Sequence, residues 1–202
     1  ETYGVNRGEV SLLLASVALT LTLLLIPIGI IVAKIGPAKS LVVGGILMAV
    51  GIPICLLPPF WIVTLLRIIY GLGCAFALTG TSAAVIRWCT PAQRPVMNGL
   101  NLTAQGLGIS FAMFFGPHLA ALMGWHYTLS LYAGFSLLST IPWIVIMRVP
   151  ALVRTMGVPS SRADILGVLK NKNTILLALA ALGPFGIFMG SMSWLPTYYH
   201  EV

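Results

Sequence analysis

Charge is what this chain has least of: Asp, Glu, Lys and Arg together make up 7% of its 202 residues, and only four of those residues are acidic. A water-soluble globule needs a polar surface, and a mean hydropathy of +1.01 leaves too little of one to keep the chain dissolved. The four acids, Glu1, Glu9, Asp164 and Glu201, fall outside the long apolar stretches, so no buried carboxylate is offered here to carry a coupling proton. Cys55, Cys74 and Cys89 form no CxxC pair and no Cys/His cluster. No disulfide framework, metal site or cofactor is therefore expected.

What the chain has instead is six apolar stretches, near residues 10–33, 40–58, 61–86, 95–123, 127–147 and 174–196. Each is long enough for a helix to cross ~30 Å of hydrocarbon at ~1.5 Å per residue. The expected fold class is all-α, a polytopic transmembrane helix bundle with six spans. Lys34 and Lys39 lie between spans one and two, Arg87 and Arg94 between three and four, and Arg148, Arg154, Arg162, Lys170 and Lys172 between five and six. Arg7 and Arg67 are the exceptions, and the loops at 57–60 and 124–127 carry no Lys or Arg. The positive-inside rule makes the basic side cytoplasmic, which explains the net charge of +7 without nucleic acid as a partner.

This orientation puts both ends of the chain outside, although there is no initiator Met and no signal peptide at Glu1. The expectation is an earlier helix that carries Glu1 across, and hence an internal fragment of a larger protein. The stretch 149–172, with Pro150, Gly157, Pro159, Ser160, Ser161 and Asp164, has the composition of a soluble loop. Its end at 163–170 spaces apolar residues helically between charges, which suits either a short surface helix or a solvated linker. Pro27, Pro53, Pro117, Pro142 and Pro184 sit within spans, where each removes a backbone hydrogen bond and bends the helix.

Several short patterns then recur in a set order. Gly29, Lys34, Gly36 and Lys39 stand between spans one and two, followed by Arg67-Ile-Ile-Tyr70-Gly71-Leu-Gly73 in span three. Span four holds Gly108 and Gly116-Pro117, Gly124-Trp125-His126-Tyr127 opens span five, and Trp194-Leu195-Pro196-Thr197-Tyr198 closes span six. Together these resemble the major facilitator superfamily, with Ala33 standing where that family's loop signature has an acid. The resemblance covers the whole chain as family helices two to seven. It implies about twelve spans in the whole protein and transport by alternating access, two six-helix halves rocking about a site near the midplane. It also implies an N-terminal bundle lacking its first helix over 1–148, a central cytoplasmic loop over 149–172, and the first helix of the C-terminal bundle over 173–202. The missing acid puts the family's outward-facing latch in question.

Candidate site residues follow from polarity inside apolar spans. Arg67 lies six residues past Trp61, roughly 9 Å below the outer edge at helical rise, and a charge at a span centre costs on the order of 2.5–3.5 kcal/mol on insertion scales. It reads as a cavity cation for an anionic group or a gating network, or as a structural partner of backbone carbonyls. Asn98, Asn101, Gln105, Gly108 and Ala112 draw a polar and small stripe along span four that is expected to avoid lipid. Asn101 and Gln105 are candidate solute ligands, with interhelical hydrogen bonding the other reading of Gln105. Gly29, Lys34, Gly36, Lys39, Gly71, Gly108, Gly116, Pro117, Gly186 and Gly190 are candidates for gating and packing. Trp194, Tyr198 and Tyr199 suit an interfacial aromatic belt.

The functional expectation is a secondary transporter of a small polar solute, an organic anion being the specific candidate, in the cytoplasmic membrane. Its partners would be that solute, the lipid bilayer and the missing helices of the same protein. A non-transporting receptor or scaffold with the same fold is the alternative. Gly80-Thr81-Ser82-Ala83 with His118 invites comparison with intramembrane serine proteases, but Ala follows the Ser where that class usually has Gly, and His118 stands near the outer end of its span.

Overall fold

The computed structural model describes residues 7–56 and 59–148, together with Lys172 and Leu176. The sixth stretch lies outside the described residues apart from Leu176, as do Gly186, Gly190 and all of the 149–172 loop except Lys172. The chain divides into two compact units, Glu1–Val158 and Pro159–Val202, and the first is described below.

Every described element is helical: α1 (Arg7–Ile35), α2 (Pro37–Ala49), a 3-10 segment (Ile52–Leu56), α3 (Phe60–Trp88), α4 (Arg94–Met123) and α5 (Trp125–Met147). Among the described residues, five spans are long and apolar enough to cross a membrane, with α2 and the 3-10 segment together forming one of them. The fold is thus the all-helical membrane bundle that the hydropathy pattern implies. Pro27, Pro117 and Pro142 are accommodated inside their helices. Around Pro53 the α-helix is lost altogether, the chain continuing as the 3-10 segment.

The reversals are tight because backbone geometry permits it. Gly36 alone separates α1 from α2, at φ 88°, a left-handed conformation that costs glycine nothing, and its N–H donates to the Val32 carbonyl at 2.9 Å. Pro37 then opens α2, where its missing N–H is no loss. Gly124 repeats the device between α4 and α5 at φ 89°.

Among apolar helices in lipid there is no hydrophobic gain from pairing, so close backbone approach and interhelical hydrogen bonds hold the bundle. Adjacent glycines of α2 serve two neighbours. A Cβ on Gly44 would meet the Gly73 carbonyl of α3 at 2.9 Å, and a Cβ on Gly45 would run into the Thr140 hydroxyl of α5. Ser40 of α2, fully buried, donates to the Phe76 carbonyl of α3 at 2.9 Å. Helix α1 packs on another side of α3, where Ile28 and Val32 close over Ala75 and Phe76. Helix α4 differs from the rest: none of its residues is buried. Its ties run through the Tyr132 hydroxyl of α5, donating to the Ala112 carbonyl at 3.2 Å, and Arg94 Nη2, donating to the Ile86 carbonyl of α3 at 2.9 Å.

Candidate solute-binding site

With α1 and α2 occupying two sides of α3, a third face remains. Arg67, Tyr70, Cys74, Thr81 and Trp88 follow one another along it at spacings that add threes and fours, so they share one stripe of the helix. This stripe borders two cavities. The first, about 80 Å³, is lined by Leu66, Arg67 and Tyr70 of α3, Leu129, Tyr132 and Ala133 of α5, and Gly51 and Ile54 from the end of the second span. The second, about 390 Å³, lies toward the Lys/Arg-rich end between Thr81, Ala84, Val85, Trp88 and Cys89, Met97, Leu100 and Asn101 of α4, and Trp143 of α5. Trp88 and Trp143 stack there at 6.1 Å between ring centroids and 13° between planes.

Arg67 is held by little. Its guanidinium lies 5.9 Å from the Tyr70 ring centroid, a cation–π contact, and its Nε is buried with no hydrogen-bond partner. The sequence supplies only Glu1, Glu9, Asp164 and Glu201 as acids, and no carboxylate stands among the described lining of the cavity that Arg67 borders. A guanidinium in such surroundings attracts an anion more strongly than one in water.

The three sequence-predicted ligands do not converge on one cavity. Arg67 lines the smaller one and Asn101 the larger. Gln105 is exposed and lines neither, its Nε2 donating to Asn101 Oδ1 one turn back at 3.3 Å. The rest of the α4 stripe is open: Asn98 is exposed, and a Cβ on Gly108 would meet nothing within 4 Å. Gly116 faces the Tyr132 hydroxyl at 3.4 Å from its virtual Cβ, while Pro117 is exposed within α4.

At the other motif positions, Gly71 meets α1 closely, a Cβ there approaching the Val17 carbonyl and Thr20 Cβ at 3.0 Å. Gly29 has open space, Lys34 and Lys39 are exposed, and a Cβ on Gly36 would approach Arg87 Nη1 at 3.0 Å. Ser82 and His118 each bond a carbonyl four residues back on their own helices, Leu78 at 3.1 Å and Phe114 at 3.1 Å.

Tyr70, Cys74, Tyr132 and the Trp88–Trp143 stack escaped the sequence reading as site elements. Tyr70 and Cys74 carried a signal, since both fall on the helix face that Arg67 defines. Tyr132 and Trp143 carried none, because partnership between α3 and α5 depends on tertiary placement.

These features define an integral membrane protein, an apolar helical bundle with a polar stripe along α3. A family model described as Major Facilitator Superfamily matches residues 1–202, and the chain belongs to that family of membrane transporters. It is 25% identical over 173 residues to the uncharacterized protein Cj0987c of Campylobacter jejuni subsp. jejuni, covering 85% of this chain and 53% of that protein. The chain thus spans about half the length of the curated relative it matches. No solved structure matches it.

Proposed function

We propose that this chain forms part of a secondary transporter that moves a small polar, anionic solute by alternating access, with Arg67 as the group that holds the charge. The observation that carries this reading is a half-buried cation in a mainly apolar bundle, its Nε without a hydrogen-bond partner, bordering a cavity whose described lining holds no carboxylate. Solute would pass along the α3 stripe, from Arg67 past Cys74 toward Asn101, with Gln105 orienting Asn101 through their hydrogen bond. Each contact made to a charged group contributes about 1.5–3 kcal/mol, enough for Arg67 to dominate affinity.

On this reading residues 1–148 belong to one bundle, 149–172 to a cytoplasmic loop and 173–202 to the first helix of a second bundle. Further helices of the same protein complete both halves. Lys34, Lys39, Arg87 and Arg94 mark the cytoplasmic side of the plasma or inner membrane. Alternating access requires two states of the bundle that the solute distinguishes. The test is uptake of a labelled organic anion by the full-length protein in liposomes, followed by counterflow against preloaded unlabelled solute. Saturable uptake with accelerated exchange supports a carrier. Binding without flux instead favours a receptor with this fold.

A further inference from the structure

The space beside Arg67, as the described residues bound it, is small. A solute of ordinary organic size occupies roughly 300–1,000 Å³, whereas the cavity that Arg67 borders is about 80 Å³. This volume suits several waters or one compact ionic group. Apart from Arg67, its lining is apolar but for two phenols, and one of these, Tyr132, spends its proton on the Ala112 carbonyl of α4. The neighbouring phenol, Tyr70, presents its ring to the guanidinium at 5.9 Å. Leu129 and Ala133 of α5 form the opposite wall, and Gly51 closes the end, its virtual Cβ 3.2 Å from that of Ala133.

We infer that the Arg67 cavity is a binding site for a compact monoanion, such as chloride or the carboxylate end of a linear solute. Three features combine to select it. Arg67 is the one cation in the described lining of the cavity, which favours charge of minus one. The small volume favours an unbranched group at the charged end. The apolar walls withhold the hydrogen bonds that a polyhydroxylated or strongly hydrated anion would need on desolvation. The inference deepens the transporter reading and rests on its assignment of Arg67 as the anion ligand. Glu9 is the acid to be weighed against it. Residue Val17 of α1 packs at Gly71, and Glu9 stands eight residues before Val17 while Arg67 stands four before Gly71. Counting along the two helices puts Glu9 about one turn beyond the level of Arg67.

The experiment measures the thermal unfolding midpoint of the full-length protein in detergent at fixed sodium concentration, with gluconate replaced stepwise by chloride, formate, acetate or hexanoate. Stabilisation by a ligand grows with its concentration over Kd, so a site gives a saturable rise in midpoint and a nonspecific salt effect does not. The expected result is saturation with chloride and formate and none with gluconate. A response to hexanoate as well identifies the site as the socket for the charged end of a longer solute. Failure of hexanoate identifies it as a free-ion site. Arg67→Gln should weaken the half-saturating concentration at least tenfold, and Arg67→Lys should recover part of it. Leu129→Phe keeps the charge but fills the cavity, and should abolish the response even if Arg67→Gln is too unstable to measure. Equal midpoints in all salts, or a chloride response unchanged in Leu129→Phe, would overturn the inference. So would a response that arises only in Glu9→Gln, which would make Glu9 the counter-charge. Uptake measured on the same preparation separates the two readings: flux without an anion response removes this site alone, and an anion response without flux removes the carrier.

Discussion

Replacing Gly45 by alanine tests the packing that positions the Arg67 stripe. The new methyl would enter the space of Thr140, whose hydroxyl lies in its path and whose Cβ and Cγ2 stand 3.0 and 3.2 Å from the added carbon. Thr140 is 1% exposed and has no room to turn away. Overpacking of a filled core costs about 1–3 kcal/mol, which at about 2–4 °C per kcal/mol for a protein of this size lowers the unfolding midpoint by roughly 2–12 °C. Thr140→Ala removes the obstruction. The hydroxyl it deletes donates only to the Ser136 carbonyl of its own helix, at 2.9 Å, so no interhelical bond is lost with it. Gly45→Ala combined with Thr140→Ala should therefore be more stable than Gly45→Ala alone, with a coupling of about 1 kcal/mol or more. The assay is the fraction of monodisperse protein after heating in detergent. Failure of the second substitution to rescue the first would refute the α2–α5 contact. Gly73→Ala is the contrasting case, since its methyl would meet the Gly44 carbonyl at 2.8 Å and the Met48 nitrogen at 2.9 Å. Both are backbone, so no side-chain change should rescue it.

If the full-length protein is the anion carrier proposed above, Arg67→Ala should lower apparent solute affinity about tenfold to a hundredfold at normal surface abundance, and Arg67→Lys should restore part of it through charge without the planar fork. Loss of maximal rate at unchanged affinity would instead make Arg67 a structural element. Tyr132→Phe removes the hydroxyl that ties α5 to the Ala112 carbonyl and should cost about 0.5–1.5 kcal/mol, read as faster proteolysis or labelling at α4 before α2 or α3. Cys89, flanked by Arg87 and Arg94, should react with a membrane-impermeant thiol reagent only after cells are opened, in a variant lacking Cys55 and Cys74; labelling in intact cells would reverse the orientation. The 202 residues alone should show no solute-specific uptake in liposomes, because alternating access needs two halves.

The helices were legible because a membrane leaves few alternatives: a long apolar run must satisfy its own backbone, and only a helix does so within one segment. The breaks were legible where chemistry is local, as at Gly36-Pro37, where a residue tolerant of positive φ precedes one suited to helix position one. The change from α-helix to the 3-10 segment near Pro53 was legible only as a bend. Neighbour relations were not legible. Nothing in the sequence says that Gly44 faces α3 while Gly45 faces α5, since both are glycines in one apolar helix. The same limit governs the candidate site. Arg67 stood out by its cost in an apolar span, whereas Tyr132 and Trp143 line the cavities through packing across helices, and Gln105 donates to Asn101 and lines neither described cavity.

The most direct test of the central claim, that the polar faces of α3 and α4 border a path opened alternately to the two sides, is the accessibility of a single cysteine at Asn101. In the full-length protein with Cys55, Cys74 and Cys89 replaced, an impermeant thiol reagent is applied to sealed vesicles of each orientation, with and without a transported anion. The account predicts labelling from both sides and slower labelling when solute is present. Labelling from one side only, at a rate that solute leaves unchanged, would contradict it.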